Sequence, residues 1–210
     1  MIDIEKINDV HLRIYTNQGI EQELSQFFEF EVPGARFTPQ YRAKLWDGKI
    51  RLFDIHRKTL YAGLIKYLLD FAERNSYKIN FLNDVEKRDI INVDQLKEFL
   101  TWLNLHGRGV PITIYDYQIE AIHHAIENKR CILLSPTSSG KSLIIYSLMR
   151  WNLEHSRKCI IVVPTTSLVE QLYSDFCDYA SHNDFDVESN VHRIYQGKDK
   201  NTDKPITIST

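Results

Sequence analysis

Cysteine is scarce in this chain. Its 210 residues hold three, Cys131, Cys159 and Cys177. They are odd in number and irregular in spacing, which suggests neither a disulfide framework nor a zinc site. Cys131 and Cys159 lie in apolar runs and read as buried thiols. Long hydrophobic runs are missing too: none approaches the roughly 18–20 residues of a membrane-spanning helix. The opening MIDIEKINDV lacks the basic and apolar regions of a signal peptide. These absences predict a reducing, cytoplasmic setting. There is no internal repeat and no low-complexity tract. There is no excess of positive charge either, since a net charge of −2 and a pI near 6.4 give no general reason to expect a nucleic-acid partner.

The average hides a pattern. Residues 1–35 carry a net charge of −5, and residues 36–58 carry +5. A basic block inside an acidic chain is a better clue than the total.

Periodicity divides the chain in two. Val10, Leu12 and Ile14 alternate as in a strand, and Ile20, Leu24, Phe27 and Phe28 recur at helical spacing. YRAKLWDGKIRLF places Asp47-Gly48 between alternating runs, a hairpin signal. Leu64, Leu68 and Phe71 mark a helix over 60–74, and 77–82 reads as a strand. The predicted order is β-α-β-β-α-β. A short amphipathic helix carries Leu96, Phe99, Leu100 and Leu103. LHGRGVP, residues 105–111, reads as a linker between a domain over 1–104 and one over 112–210. Beyond it come a helix over 116–127, a strand over 131–134, a helix over 141–154, a strand over 159–163, a helix over 167–180, a strand over 191–195 and a strand from Ile206. Strands alternating with helices predict a parallel sheet covered on both faces.

SPTSSGKS, residues 135–142, fits the end of the phosphate-loop pattern G-x-x-x-x-G-K-[ST], with Ser135 in place of the first glycine. Between a predicted strand and a predicted helix, its backbone amides and the helix terminus suit a phosphate. Gly140 permits close backbone approach. Lys141 would reach the β- and γ-phosphates, and Ser142 would ligate Mg²⁺. The bland alternative is a Gly-Lys-Ser that merely starts a helix. Upstream, Tyr117-Gln118 offers a ring to stack on a base and an amide to read an adenine edge. A surface glutamine is the ordinary explanation of that pair. Downstream, VVPTTSLVEQL ends a strand and begins a helix. Ser167 and Glu170 have capping-box spacing, and Leu168, Leu172 and Phe176 supply an apolar stripe. The Thr165 and Thr166 hydroxyls are candidates for a phosphate backbone.

In this order, Tyr117-Gln118, SPTSSGKS and VVPTTSLVEQ resemble the Q-type motif, motif I and motif Ia of the amino-terminal RecA-like lobe of superfamily 2 helicases. ARFTPQYRAKLWDGKIRLFD is similar to the leading domain of UvsW-type phage recombination helicases, so the resemblance covers essentially the whole chain. It implies ATP and Mg²⁺ as cofactors. It also implies ATP-driven unwinding or branch migration of recombination and replication intermediates. Double-stranded or branched DNA and RNA–DNA hybrids would be its partners, in the host cytoplasm for a phage-encoded chain. The fold class implied is an α/β RecA-like lobe behind a small α+β domain similar to double-stranded RNA-binding folds. The nucleotide would touch Tyr117, Gln118, Ser135, Pro136, Thr137, Ser138, Ser139, Gly140, Lys141 and Ser142, with Lys141 and Ser142 catalytic. DNA would touch Pro164, Thr165 and Thr166. The family's acidic DExH box and second lobe have no counterpart in these residues, so the sequence reads as an amino-terminal portion that is inactive alone. A non-catalytic nucleotide- and nucleic-acid-binding module, or another P-loop phosphotransferase, is the alternative.

A two-residue turn at Asp47-Gly48 would set Lys44 opposite Arg51 and Trp46 opposite Lys49. One face would then hold Arg42, Lys44, Trp46, Lys49, Arg51 and Phe53. The other would be a core face of Tyr41, Ala43, Leu45, Ile50 and Leu52. The four cations are candidates for phosphate contact. The competing reading is a solvated face with Glu29 or Glu31 as partners, and Trp46 and Phe53 are as well explained by packing.

Overall fold

The computed structural model describes residues 1–83 and 91–210. The chain forms two compact units, Met1–Lys87 and Arg88–Thr210.

The first unit is built on a five-stranded sheet. Its strands are β1 (Ile2–Lys6), β2 (His11–Tyr15), β5 (Phe53–Asp54), β6 (Thr59–Tyr61) and β7 (Ile79–Phe81), in the order β5-β6-β2-β1-β7. β1 runs antiparallel to β2 and parallel to β7. Ile2, Ile4, Leu12 and Ile14 alternate onto one face and are fully buried with Leu24 and Leu68. Those two come from helices α1 (Gln18–Phe27) and α3 (Ile65–Arg74). Burying each such side chain contributes about 1.5–3 kcal/mol. Asn17 starts α1, its side chain accepting from the Ile20 amide at 2.9 Å.

Strand β1 lies outside the predicted order, although Ile2 and Ile4 carry the same alternation as Leu12 and Ile14. The basic hairpin is also different from expectation. Tyr41 to Leu45 forms no strand; helix α2 (Pro39–Arg42), capped by Thr38, takes its place. The partner of β4 (Lys49–Arg51) is β3 (Glu29–Glu31), with Glu29 opposite Arg51 and Glu31 opposite Lys49. Lys44 therefore does not face Arg51. Proline at the first helical position and a threonine cap favour the helical turn. Two carboxylates opposite two cations favour the β3–β4 pairing. The predicted core face fails with it: Leu45 is 82% exposed, and Ile50 is exposed.

In the second unit, α4 (Val93–Trp102) packs with α5 (Asp116–Asn128), α6 (Lys141–Glu154) and α7 (Thr166–Tyr179). The boundary thus falls before α4, not at 105–111, because Leu96, Leu100, Leu103 and Leu105 join this unit's core. The expected linker is a small hairpin of β8 (His106–Gly107) and β9 (Val110–Pro111). Arg108 and Gly109 take the positive φ of a tight turn, and the Arg108 amide bonds both Asp178 carboxylate oxygens at 2.8 Å.

The sheet of this unit contains β10 (Cys159–Val162), β12 (Ile206–Ser209) and β11 (Val191–Ile194), in that order and all parallel. A short helix, α8 (Val187–Asn190), leads into β11. Ile206 and Ile208 are buried, whereas Ile160 and Val162 on the opposite face of the β10 edge are 76% and 71% exposed. The cover on both faces expected from sequence is absent there.

Residues 131–134 form no strand, and Cys131 is exposed rather than buried. A strand is completed by its neighbour's hydrogen bonds, and among the described residues no segment pairs with this run. Cys159 is half-buried, and burial raises its thiol pKa. Among the described residues, no helix is long and apolar enough to cross a membrane.

Candidate nucleotide and nucleic-acid sites

Asn17, Asn92 and Thr165 cap α1, α4 and α7 with side-chain oxygens, whereas α3, α5 and α6 start with no side-chain cap, α6 at Gly140. The first amides of a helix have no internal acceptor, so an uncapped start on a 14-residue helix leaves its donors and dipole to an anion. Gly140 has φ +77°, and a Cβ on it would lie 2.3 Å from Gln118 Nε2. Glycine is required on both counts.

The preceding loop is folded on itself. Ser135 and Ser139 share a short hydroxyl–hydroxyl bond, and Ser139 Oγ donates to the Pro136 carbonyl at 2.8 Å. Ser135, in the first-glycine position, thus closes the turn through its hydroxyl. Ser138 takes a positive φ of 64°, and Pro136 and Thr137 are exposed. Lys141 is exposed, and its Nζ donates to the carbonyls of Pro136 at 2.6 Å and Ser135 at 3.2 Å. These are weak holds for an ammonium, which an anion in the loop can take over. The donor set, an uncapped helix start beside a glycine and an exposed lysine held by loop carbonyls, fits a polyphosphate.

Gln118 is buried, and both ends of its amide are engaged. Oε1 accepts from the Tyr115 amide at 3.0 Å, and Nε2 donates to the Ser139 carbonyl at 3.0 Å. The side chain links the start of α5 to the phosphate loop, which is not the free amide expected from sequence. Tyr117 also reaches this loop, its hydroxyl donating to the Ser139 carbonyl at 3.0 Å. Its ring stacks nearly parallel on Tyr115 at 5.7 Å, and both rings are exposed.

Ser142 has partners that no local pattern announces. Its hydroxyl lies 2.9 Å from the Tyr179 hydroxyl, and it is near enough to Asp175 to favour that carboxylate. Burial raises the pKa of Asp175, the nearby Asp178 charge adds to the rise, and the Ser142 hydroxyl opposes it. Burial likewise raises Tyr179. Asp175 and Tyr179 come to Ser142 only through the packing of α7 on α6, so sequence spacing could not expose them.

At the start of α7, Thr165 is the cap: its Oγ1 accepts from the Leu168 amide at 3.3 Å. The Ser167–Glu170 capping box is therefore not formed, since the helix begins earlier. Glu170 instead accepts from the Tyr195 hydroxyl at 2.5 Å and bonds Arg193, and the Tyr195 bond first and the Arg193 charge after it lower its pKa. The buried stripe is Val169, Leu172 and Phe176, with Leu168 exposed. Pro164, Thr165 and Thr166 lie together and exposed at this helix start.

The four basic candidates in the first unit separate into two pairs. Lys49 Nζ bonds Glu29 at 2.5 Å, and Arg51 bonds Asp47 at 2.5 Å and Glu29 at 3.3 Å. The Arg51 bond lowers the pKa of Asp47, and Glu29 raises that of Lys49. Arg42 and Lys44 are exposed and have no ion pair among the described residues. Phe53 is buried in the core, and Trp46 is fixed by donation from Nε1 to the Lys49 carbonyl at 2.8 Å.

Comparison with known proteins gives two successive matches. Residues 2–82 match the amino-terminal region of the DNA helicase UvsW, and residues 115–208 match the DEAD/DEAH box helicases. A crystal structure of the UvsW helicase from bacteriophage T4 superimposes with a TM-score of 0.89 at 32% identity, covering 100% of this chain and 74% of that one. The chain belongs to the UvsW helicase family.

The phage T4 relative, an ATP-dependent DNA helicase, is 34% identical over 207 residues, 95% of this chain. This chain spans 40% of that relative's length. The ATP-dependent DNA helicase Hel308 of Methanocella arvoryzae is 32% identical over 92 residues, 43% of this chain and 12% of its own. Family membership agrees with the α/β class read from the strand–helix alternation.

Proposed function

We propose that Ser135–Ser142 is the ATP-binding loop of an ATP-dependent DNA helicase that unwinds or branch-migrates recombination and replication intermediates. The observation that carries this is the uncapped start of α6 at Gly140, with the Lys141 ammonium held only by two loop carbonyls. On nucleotide binding, Lys141 leaves those carbonyls for the β- and γ-phosphates, and first-turn amides of α6 receive the same anion. Ser142 is the residue for Mg²⁺, which when bound neutralises phosphate charge. Its hydroxyl would hold the ion in place of its present Tyr179 partner. Tyr117 offers its exposed face to the base. Gln118 sets the loop's position, and it contacts adenine only by giving up one of its two present bonds.

Nucleic acid is the second ligand. Thr165 and Thr166, at the exposed start of α7, are placed to donate to a phosphate backbone, with Pro164 adjoining. Arg42 and Lys44 supply cations in the first unit, and such contacts are largely independent of sequence. Duplex and branched DNA and RNA–DNA hybrids share this phosphate chemistry.

The test compares wild type with Lys141→Ala in ATP binding by calorimetry and in turnover with and without DNA. The expected outcome is binding by wild type, at least tenfold weaker binding by the variant, and negligible turnover by this 210-residue chain. A second-lobe arginine is worth roughly 10³–10⁵ in rate in phosphoryl-transfer enzymes. Equal ATP affinity in the two proteins removes the loop from the nucleotide site. Turnover stimulated by a small-molecule acceptor instead of DNA replaces the helicase by a phosphotransferase.

A further inference from the structure

Val32 to Trp46 contains Arg36, Arg42 and Lys44 and not one carboxylate. None of the three cations has an ion pair among the described residues, in contrast to Lys49 and Arg51 close by. Arg36 instead lies over the Phe37 ring at 4.9 Å. The segment is locally bonded into shape. The amides of Ala43, Lys44 and Leu45 close the end of α2 on the carbonyls of Pro39, Tyr41 and Gln40. A Cβ on Gly48 would sit 3.1 Å from both the Tyr41 ring and Ala35, so the glycine admits that ring.

The result is a concavity of about 630 Å³, lined by Tyr41, Leu45 and Trp46 together with the three cations. Asp47 also lines it, but its carboxylate is bound by Arg51. An adjoining hollow of about 510 Å³ shares Arg36, Tyr41 and Asp47, adds Phe37, and has Glu31 on its lining as well. Phe37 is 63% exposed. Concavities of this size fall in the range of small-ligand sites.

Cations alone would suit any duplex. Contact with phosphates, however, calls for no apolar lining, and an uninterrupted duplex keeps its base faces stacked away. A base freed at a junction, bulge or fork has a face to bury, and aromatic side chains receive such faces without regard to sequence. Free cations around an aromatic and aliphatic hollow match a nucleotide presented with its phosphates.

We propose that this concavity is the subsite for an unstacked base of branched or interrupted DNA. Arg36, Arg42 and Lys44 hold the flanking phosphates, and Tyr41, Leu45 and Trp46 receive the base. The assignment rests on the reading of the chain as DNA-binding and locates where branched substrates are distinguished from plain duplex.

The test uses the full 210-residue chain and fluorescence anisotropy with three labelled DNAs. One is a plain duplex, one is the same duplex with a short thymine bulge, and one carries an abasic bulge of equal phosphate count. Wild type should bind the thymine bulge about tenfold tighter than the abasic one, the scale of stacking a base on an aromatic side chain. Leu45→Ala and Tyr41→Ala should erase that preference while leaving duplex affinity within about twofold. Leu45 is exposed, so its variant keeps the fold even if Tyr41→Ala does not. Arg42→Ala with Lys44→Ala should weaken all three complexes and flatten the log–log salt slope by about two. A wild type that binds duplex but does not separate thymine from abasic bulges overturns the subsite and leaves DNA binding intact. Unchanged binding by the charge variant also overturns it. A wild type that binds none of the three DNAs overturns the DNA-binding reading itself.

Discussion

Gln118 occupies the space that a side chain at residue 140 would need: its Nε2 lies 2.3 Å from the Cβ position of Gly140. The same nitrogen donates to the Ser139 carbonyl, and the other end of the amide holds the Tyr115 backbone. One buried glutamine therefore fixes the phosphate loop against the start of α5 and makes glycine obligatory at the loop's end.

Gly140→Ala should thus be costly twice, through the clash and through φ +77°. A left-handed backbone on a non-glycine residue costs on the order of 1–3 kcal/mol. Urea unfolding should show at least that loss. Adding Gln118→Ala should recover the steric part only. A Gly140→Ala protein as stable as wild type would refute the clamp.

Gln118→Leu tests positioning against base reading. It leaves the Tyr115 amide without its partner and removes one of the two donors to the Ser139 carbonyl, Tyr117 keeping the other, and an unsatisfied buried group costs about 1–3 kcal/mol. If Gln118 positions the loop, affinity for ATP and GTP should fall by the same factor. A selective loss of ATP binding would mean that the amide reads adenine instead.

How far the sequence disclosed these features follows from how local each one is. The helical stripes of α1 and α5 repeat within one segment and lie where periodicity placed them, whereas the helix expected over 60–74 begins only at Ile65, because Leu60 and Tyr61 pair into β6. The loop at 135–142 and its helix were legible because glycine, lysine and serine act within a few residues of one another. Pairings were harder. DGK at 47–49 reads as the centre of a hairpin, but the strand partner of Lys49–Arg51 is Glu29–Glu31, some twenty residues away. Strand status at 131–134 failed for a related reason: an apolar run supplies propensity, and a neighbour supplies the bonds. Asp175 and Tyr179 beside Ser142 are a tertiary contact, with no trace in spacing.

The Glu29 carboxylate, its side chain only 17% exposed, is held by both Lys49 and Arg51. Exposed pairs contribute about 0–1 kcal/mol, while removing the partners of a buried charge costs about 3–5 kcal/mol. Lys49→Ala with Arg51→Ala should fall between and lower the unfolding midpoint, with the loss shrinking at high salt. DNA affinity should change little, since these cations are already occupied. A large loss of DNA binding without a change in unfolding midpoint would return them to the interface.

Asp175 supplies a pH-dependent test of the α6–α7 contact. Burial first, and the Asp178 charge second, raise its pKa above the ordinary aspartate value of 3.8, against the lowering effect of the Ser142 hydroxyl. A raised carboxyl pKa means that the unfolded chain releases this proton at lower pH than the folded chain. Ionisation therefore favours unfolding. The cost is absent below pH 3.8 and grows as pH rises through the folded pKa, then stays constant. Asn cannot ionise and keeps a group able to bond Ser142. Asp175→Asn should accordingly raise Tm near neutral pH by a few degrees, with the gain disappearing towards pH 4. Charges elsewhere contribute to both proteins alike and cancel in the difference. Melting curves of the two proteins across that range decide the matter. A Tm difference independent of pH would mean that the carboxyl is not strained by ionisation, and a Tm lower than wild type at neutral pH would mean that its charge stabilises the contact with Ser142.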